Sequence, residues 1–263
     1  MTHPRKYTAS RTNRRRLIVK RALLSDIHSN LEALDAVLAD IRQQGIREIY
    51  CLGDLVGYGA NPSECIQLIR ERVDVVAISG NHDRQVIGER DKRMRRTALK
   101  ALEWTQDNIS PNNARYLRNL PSGRVVDDVF IMVHGSLVER DAYILNSREV
   151  QRNLECMVNE FEGLRICFFA HTHVPMLIGT RAVVTDLKKT RTFQLDRDDI
   201  YLINPGSVGQ PRDRCPLASF GIFDAERWTM TFVRKEYDLK LAQRRIIEAG
   251  LPEKFARRLA LGV

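Results

Sequence analysis

The chain has 263 residues, of which 43% are hydrophobic and 29% are charged. This composition excludes collagen-like, mucin-like and wholly disordered proteins. No apolar stretch approaches the ~18 residues that a membrane span needs. The basic start of the chain is not followed by the apolar segment of a secretory signal. We therefore expect a soluble, cytoplasmic protein without a membrane partner.

The formal net charge of +9 is concentrated at the beginning of the chain. Of the 42 lysines and arginines, eight lie within residues 1–21, which contain no acidic residue, and the other 34 are balanced by 33 acidic residues. A solvated arm explains this distribution more simply than a nucleic-acid contact does. We expect a basic arm over residues 1–15, the only feature pointing to nucleic acid, and one domain over residues 16–263.

The five cysteines are an odd number and form no C-x-x-C pair. Most of them lie within apolar segments of the sequence. This pattern predicts reduced, buried thiols, which are typical of a cytosolic protein.

The first part of the chain alternates between short apolar runs and amphipathic segments. Strands are predicted over residues 17–24, 49–52 and 73–78, and helices begin after Asn30 and at Pro62. This βαβαβ order predicts a parallel sheet. The third strand is apolar enough to be buried on both faces.

The second part of the chain has a more varied pattern. Residues 84–121 are predicted to be helical, 125–133 a strand, 149–161 a helix and 166–170 a strand. Between residues 174 and 233, short β-branched segments separated by polar turns predict the antiparallel strands of a second sheet. Two helices, over 238–249 and 253–261, are expected to complete the fold.

Five of the six histidines lie at or just beyond the ends of predicted strands. The carboxyl ends of parallel strands converge on one crevice, where ligands bind. Side chains two residues apart in an extended segment point the same way, so Asp26 and His28 could bind one cation. His171 and His173 could reach the same region, and Asp54 could bridge two ions about 3.5–4 Å apart. Imidazole, carboxylate and amide ligands together favour Mn, Fe or Zn over Ca.

Five short motifs, in this order, resemble those of the calcineurin-like metallophosphoesterases. They are Ser25-Asp26-Ile27-His28, Gly53-Asp54, Gly80-Asn81-His82-Asp83, His134-Gly135 and His171-Thr172-His173. The resemblance extends over most of residues 17–238. It implies an α/β fold of the four-layer αββα type, in which two mixed β-sheets are flanked by helices.

The resemblance also implies two divalent metal ions, Mn²⁺ foremost, with Fe or Zn as alternatives. One ion would be bound by Asp26, His28, Asp54 and His173, and the other by Asp54, Asn81, His134 and His171. A metal-bridging hydroxide would attack phosphorus. His82 would be the catalytic general acid, which donates a hydrogen bond or a proton to the phosphate or the leaving oxygen.

The segment from Asn204 to Arg212 resembles a loop of the small bacterial predicted-phosphodiesterase branch of this family. Gln210 and Arg212 are candidates for binding substrate, because arginine holds phosphate through two parallel hydrogen bonds. Arg212 could equally pair with Asp213. The basic stretch 84–100 could attract an anionic substrate, although a solvated helix face is the simpler explanation.

One motif departs from the family pattern. The block usually written G-D-x-x-D ends in Gly57 here, so its second aspartate is missing. In related phosphatases that carboxylate orients the catalytic histidine, which leaves open how His82 is held. Asp83 is adjacent in sequence, but neighbouring residues need not face each other.

We expect a hydrolase of small phosphate esters that prefers diesters to monoesters. A nucleotide or dinucleoside-polyphosphate pyrophosphohydrolase and a protein phosphatase-like enzyme are alternatives, the latter weakened because Gly57-Tyr58-Gly59 replaces its Asp-Arg-Gly motif. A non-catalytic, metal-binding interaction scaffold is an alternative of another class. The intact motifs favour an enzyme, and the sequence specifies no oligomeric state.

Overall fold

The computed structural model describes residues 20–89, 96–126 and 129–263. The predicted basic arm, the first residues of the first predicted strand and several arginines and lysines of the stretch 84–100 lie outside the described residues. The predicted boundary between arm and domain therefore stays a prediction.

The first sheet contains six strands within the described ranges. Their order across the sheet is β3 (Val75–Ala77), β2 (Glu48–Cys51), β1 (Lys20–Leu24), β11 (Ala218–Asp224), β12 (Thr229–Lys235) and β9 (Arg191–Gln194). β1, β2 and β3 are parallel, whereas β11, β12 and β9 pair in antiparallel fashion. Helices α1 (Leu31–Gln43) and α2 (Pro62–Arg70) connect the parallel strands, so the predicted βαβαβ unit is confirmed.

The second sheet also contains six strands in the part of the chain that the structure describes. Their order is β4 (Gly123–Val126), β5 (Phe130–Val133), β6 (Ile166–Phe168), β10 (Tyr201–Asn204), β7 (Met176–Gly179) and β8 (Val183–Val184). β5, β6 and β10 are parallel, and the remaining pairs are antiparallel. Both sheets are therefore mixed, as the family resemblance implied.

Three predictions about the strands are wrong. The single strand expected over 125–133 is an antiparallel pair, β4 and β5. β9, β11 and β12 join the first sheet rather than the second, and β10 is parallel to β6. The strand expected over 73–78 is the shorter β3 at a sheet edge, and Val73 is 96% exposed. An apolar run predicts that a strand exists, but its partners depend on packing between distant segments.

The predicted helices are present with adjusted bounds. The stretch 84–121 contains α4 (Arg96–Asp107) and α5 (Pro111–Asn119), preceded by the short α3 (Asn81–Val86). The later helices are α6 (Ser147–Glu160), α7 (Leu239–Glu248) and α8 (Glu253–Leu261). α5 begins with a proline, behind a serine whose side chain caps the helix,. No helix of the described residues is long and apolar enough to cross a membrane.

Alternating side chains of the strands build four layers. Leu24 of β1 belongs to the same buried cluster as Leu34 of α1. Its neighbour Leu23 points to the opposite face and packs in the core between the sheets with Phe168. Met157 of α6 covers the outer face of the second sheet. The layers therefore follow the αββα order that the family resemblance implied.

All five cysteines are free and buried, as predicted. Burial raises the pKa of Cys51 to about 12 and that of Cys156 to about 11. A thiol with a raised pKa is a poor nucleophile and a poor metal ligand at neutral pH. Cys51 and Cys156 are therefore poorly suited to nucleophilic chemistry or metal binding at neutral pH,.

Candidate metal centre

The seven residues predicted to bind metal lie together beyond the carboxyl ends of β1, β2, β3, β5 and β6, and all are buried. They form two groups, in each of which the side-chain ligand atoms of the histidines and aspartates lie within 4.8 Å of one another. The first cluster consists of Asp26, His28, Asp54 and His173. The second cluster consists of Asp54, His134 and His171, together with Asn81, whose Oδ1 lies 3.1 Å from Nε2 of His134. Asp54 belongs to both clusters.

Most of these residues occupy left-handed backbone conformations. Their φ angles are 51° at Asp26, 49° at His28, 55° at Asp54, 68° at His171 and 59° at His173. Such conformations cost about 1 kcal/mol or more at a non-glycine residue and cluster at functional sites. The sequence pattern predicted that Asp26 and His28 share one face of an extended segment. This prediction is wrong, because neither residue has an extended backbone. They converge because the backbone turns at each of them.

Asp83 holds the loop after β2 against the start of α3. Its two carboxylate oxygens accept four backbone hydrogen bonds, from Asp54 (2.8 Å), Leu55 (2.9 Å), Val56 (3.3 Å) and Gly80 (3.0 Å). These bonds bring the backbone of Asp54 next to α3. Both carboxylate oxygens of Asp83 thus accept hydrogen bonds from the backbone, and neither accepts one from Nδ1 of His82.

Two glycines allow these segments to approach each other closely. A Cβ atom at Gly53 would lie 2.3 Å from the backbone nitrogen of Gly80, and one at Gly80 would lie 2.0 Å from Oδ1 of Asp54. Real Cβ atoms do not approach other atoms this closely. The glycines of the Gly53-Asp54 and Gly80-Asn81 motifs are therefore required by the distance between the two loops.

Three histidines of the clusters are oriented by backbone carbonyl groups. The pairs are His28 Nδ1 with Val56 (2.9 Å), His134 Nδ1 with Leu52 (2.8 Å) and His173 Nδ1 with Gln210 (2.6 Å). A carbonyl oxygen only accepts hydrogen bonds, so each Nδ1 must carry a proton. In the neutral ring, Nε2 then directs its lone pair into a cluster, as it does in histidines that bind metal.

The ligand atoms of the first cluster are arranged as in a metal site, with the nitrogens of two histidines facing each other. Nε2 of His28 lies 3.1 Å from Nε2 of His173, and in neutral rings both atoms are acceptors. Both carboxylate oxygens of Asp26 and Oδ2 of Asp54 are buried and accept no hydrogen bond from the described residues. A divalent cation would satisfy all of these atoms, and nitrogen with carboxylate oxygen suits Mn, Fe or Zn. The residues fit the metal that the family resemblance implies.

The electrostatics of the clusters also favours a cation. Burial raises the pKa of Asp26 to about 7 and lowers the pKa of His28 and His173 well below the usual value. Burial alone would lower the pKa of His134, but the charge of Asp54 raises it to about 9. A divalent cation would stabilise the carboxylates and replace the proton of His134, because metal binding favours deprotonated ligands.

His82 belongs to neither cluster but lies against the first. Its backbone N–H donates to Oδ1 of Asp54 at 2.8 Å, and its ring centroid lies 4.8 Å from that of His28. Nδ1 of His82 is buried and has no hydrogen-bond partner among the described residues, and burial lowers the pKa of this ring to about 4. Nε2 is therefore the ring nitrogen available to a substrate.

Of the two predicted substrate contacts, only Arg212 is partly exposed. Gln210 is 1% exposed, and its Oε1 accepts hydrogen bonds from Nε (3.2 Å) and Nη2 (2.8 Å) of Arg212. Asp213 is ion-paired with Arg234, so it is not the partner of Arg212. Gln210 therefore holds Arg212 in place, which leaves Arg212 as the residue of the pair that could reach a phosphate.

The loop of residues 205–212 joins the two loops that bear the first cluster. The N–H of Gly209 donates to the carbonyl of Asp26 at 3.0 Å, and that of Arg212 donates to the carbonyl of His173 at 3.2 Å. The side chain of Asn30, which precedes α1, caps this helix and also donates to the Gly209 carbonyl. This supporting role was not evident from the sequence.

Arg84, the first residue of the basic stretch 84–100, is not available to bind a substrate. The buried guanidinium of Arg84 pairs with Asp141 and with Glu89, and it donates to the carbonyl of Ser79 at 3.1 Å. Most of the other basic residues of this stretch lie outside the described residues. Arg84 ties α3 to the loop before α6.

Two tyrosines beside the clusters were not predicted. The ring of Tyr58 lies 4.6 Å from those of His28 and His82. The ring of Tyr143 stacks on His171 at 4.0 Å and is 42% exposed. Tyr58 directly follows Gly57, where the sequence departs from the family motif, and this departure could have drawn attention to it. No motif marks Tyr143.

Comparisons with known proteins agree with this geometry. The model of the calcineurin-like phosphoesterase superfamily domain matches residues 19–227. The chain is 39% identical over 244 residues to an uncharacterized protein of Methanocaldococcus jannaschii, covering 92% of this chain and 97% of the relative.

Two crystal structures are similar over nearly the whole chain. A metallophosphoesterase from Sphaerobacter thermophilus is 36% identical with a TM-score of 0.81, covering 93% of this chain and 99% of that one. A hypothetical protein from Pyrococcus horikoshii is 25% identical with a TM-score of 0.76 and the same coverage. The chain belongs to the calcineurin-like phosphoesterase superfamily. Membership implies hydrolysis of phosphoric esters, and the two clusters are suited to divalent metal ions.

Proposed function

We propose that the protein is a phosphodiesterase whose two clusters bind two divalent ions bridged by Asp54, with Mn²⁺ preferred and Fe or Zn as alternatives. The supporting observation is the position of one oxygen. Oδ2 of Asp54 lies 3.5 Å from Nε2 of His28 and 3.4 Å from Nε2 of His134, so it faces both clusters at once. A carboxylate in this position suits two ions about 3.5–4 Å apart.

Bound ions would supply an activated water and neutralise charge on the phosphate. His82 lies beside the first cluster and acts as the general acid: it donates a hydrogen bond from Nε2 to the leaving oxygen, a contribution of typically 10²–10⁴-fold. Burial keeps the pKa of this ring at about 4 in the free protein, so a proton is transferred only after the negative charge of bound phosphate has raised that pKa. Arg212 binds a non-bridging phosphate oxygen, and Gln210 fixes the direction of its guanidinium,. The predicted metal ligands are buried, and Arg212 beside them is partly exposed. This arrangement supports a small phosphate ester as the substrate.

Two features support a diester in preference to a monoester. The loop of residues 204–212 resembles that of predicted phosphodiesterases. The partly exposed ring of Tyr143 stacks on His171 and offers an apolar surface to a second ester group. We also propose a cytoplasmic location, which the five reduced, buried thiols support,.

The test is a comparison of initial rates on a chromogenic phosphodiester and its matched monoester. The protein is stripped of metal with a chelator and then supplied with Mn²⁺. We expect no turnover without metal, and a kcat/KM for the diester at least about tenfold above that for the monoester. A preference for the monoester would contradict the diester proposal. Bound metal without turnover of either ester would favour the scaffold alternative.

A further inference from the structure

We propose that Tyr58 is the positioning residue of His82 and takes the place of the carboxylate that is missing at position 57. This inference rests on the proposed function for its kinetic consequence, but the positioning itself is a property of the protein alone. It follows from the space around His82, from the hydrogen bonds of its neighbours and from the ring contacts of Tyr58.

Position 57 has no room for a side chain. Gly57 has a φ angle of 95°, which L side chains rarely adopt,. A Cβ atom there would lie 2.4 Å from Nδ1 of His82 and 3.1 Å from its Cγ. The ring of His82 thus occupies the space next to the Gly57 backbone. An aspartate at this position would displace the ring rather than hydrogen-bond to it.

No other carboxylate among the described residues accepts a hydrogen bond from Nδ1 of His82 and so orients its ring. Both oxygens of Asp83 accept hydrogen bonds from the backbone, and Nδ1 of His82 has no partner. The backbone N–H of His82 is bonded to Asp54, but that bond does not set the rotation of the ring. The orientation of the imidazole must therefore come from ring packing.

Tyr58 supplies this packing. Its ring centroid lies 4.6 Å from that of His82, at an interplanar angle of 56°, within the range of favourable aromatic pairs,. His28 contacts His82 edge-on, at 81°. Tyr58 is itself held by Phe255 of α8, whose ring lies 5.0 Å away. Its φ angle of 60° shows that surrounding contacts maintain an unfavourable backbone conformation,.

The consequence concerns the position of Nε2 of His82. A catalytic group displaced by about 1 Å can lose about 10²-fold in rate. The hydroxyl of Tyr58 lies 3.5 Å from Nη2 of Arg212, at the limit of a hydrogen bond,. The ring of Tyr58, and not its hydroxyl, is therefore expected to carry the effect.

The first readout is the motion of histidine rings in the Zn²⁺-loaded protein, measured by NMR relaxation at their C–H groups. It does not depend on activity. In Tyr58→Leu we expect faster and wider motion of the His82 ring, whereas the ring of His134, fixed by the Leu52 carbonyl, stays as rigid as in the wild type. Tyr58→Phe keeps the ring contact and is expected to keep His82 rigid. An equally rigid His82 in Tyr58→Leu would overturn the inference.

The second readout is kcat for the chromogenic diester with Mn²⁺. We expect Tyr58→Leu to lower kcat about 10–100-fold, Tyr58→Phe to change it less than about twofold, and Tyr58→Leu to have no further effect in a His82→Ala background. A full loss in the His82→Ala background would show that Tyr58 acts through the metal ligand His28 and would overturn the inference. An inactive wild type with a mobile His82 ring in Tyr58→Leu would refute the proposed function while supporting the positioning.

Discussion

The two clusters differ in how firmly the protein holds their residues. In the first cluster, both histidines donate from Nδ1 to backbone carbonyl groups, and the loop of residues 205–212 joins the segments that bear them. In the second cluster, only His134 is fixed in this way. His171 makes no hydrogen bond with the described residues and stacks on the partly exposed Tyr143 instead.

This difference predicts that the two clusters have different affinities for a metal ion. The first cluster contains two carboxylates and rigid imidazoles, so an ion bound there should bind tightly and exchange slowly. The second cluster has only the shared carboxylate of Asp54, one amide and two histidines, of which His171 is held by stacking alone. Its ion should bind more weakly, because residues that orient a metal ligand typically contribute 10–100-fold to affinity.

Asp54→Asn should have the largest effect, because Asp54 is common to both clusters. Loss of one negative charge beside both proposed ions would remove several kcal/mol of stabilisation, so kcat/KM for the diester should fall by about 10³-fold or more. Metal content, measured on the same protein, should fall as well. Asp199→Asn is the matched control, since Asp199 is also buried but accepts a hydrogen bond from Thr180, just after β7. An Asp54→Asn protein with full rate and metal content would refute the bridging role.

Replacing one histidine in each cluster should separate the two sites. We expect His171→Ala to weaken one ion by about 10–100-fold and to leave the other bound. His173→Ala should remove the tightly bound ion, because Nε2 of His173 lies 3.4 Å from Oδ1 of Asp26 inside the first cluster. Calorimetric titration with Mn²⁺ measures the number of bound ions and their affinities in each variant. Identical losses in both variants would contradict the division between the clusters.

Gly57→Ala should affect catalysis, whereas Gly163→Ala should not. Both glycines have left-handed φ angles, 95° and 88°, so both variants should lose about 1–2 kcal/mol of stability from the backbone,. Only at Gly57 would the new Cβ meet His82, because nothing lies within 4 Å of a Cβ at Gly163. We expect kcat to fall about 10–100-fold in Gly57→Ala alone. Equal kcat values in the two variants would show that His82 needs no fixed position.

Arg212→Ala should have the smallest of these effects and act on KM. A partly exposed arginine that binds phosphate contributes about 1.5 kcal/mol, or about tenfold in affinity. We therefore expect KM for the diester to rise about tenfold with little change in kcat. Arg181→Ala, at an exposed arginine paired with Asp196, is the control and should leave KM unchanged. An unchanged KM in Arg212→Ala would remove this residue from the substrate site.

The sequence was sufficient to locate the candidate site because of where its polar residues fall. Each of the residues Asp26, Asp54, Asn81, His134 and His171 follows an apolar run, and the carboxyl ends of parallel strands converge. The helices α1 and α2 were predictable from apolar spacing and from the residues at which they begin, Asn30 before α1 and Pro62 in α2. These features depend on short stretches of sequence, which is why they could be predicted.

Features that depend on distant contacts could not be predicted in the same way. The sheet to which β9, β11 and β12 belong is decided by packing between the layers. The backbone turns at Asp26 and His28 are stabilised by bonds to another loop. The direction of the Gln210 side chain, which accepts hydrogen bonds from Arg212, also depends on the folded loop. Sequence motifs therefore predicted which residues lie together, but not the way in which they are held.

The bridging position of Asp54 is tested most directly by electron paramagnetic resonance of the Mn²⁺-loaded protein, combined with its metal content. Two ions bridged by one carboxylate are close enough for their spins to couple. We predict two Mn²⁺ per chain and the broadened spectrum of an exchange-coupled pair. One Mn²⁺ per chain, or two ions with the resolved hyperfine pattern of isolated Mn²⁺, would contradict a shared dinuclear site.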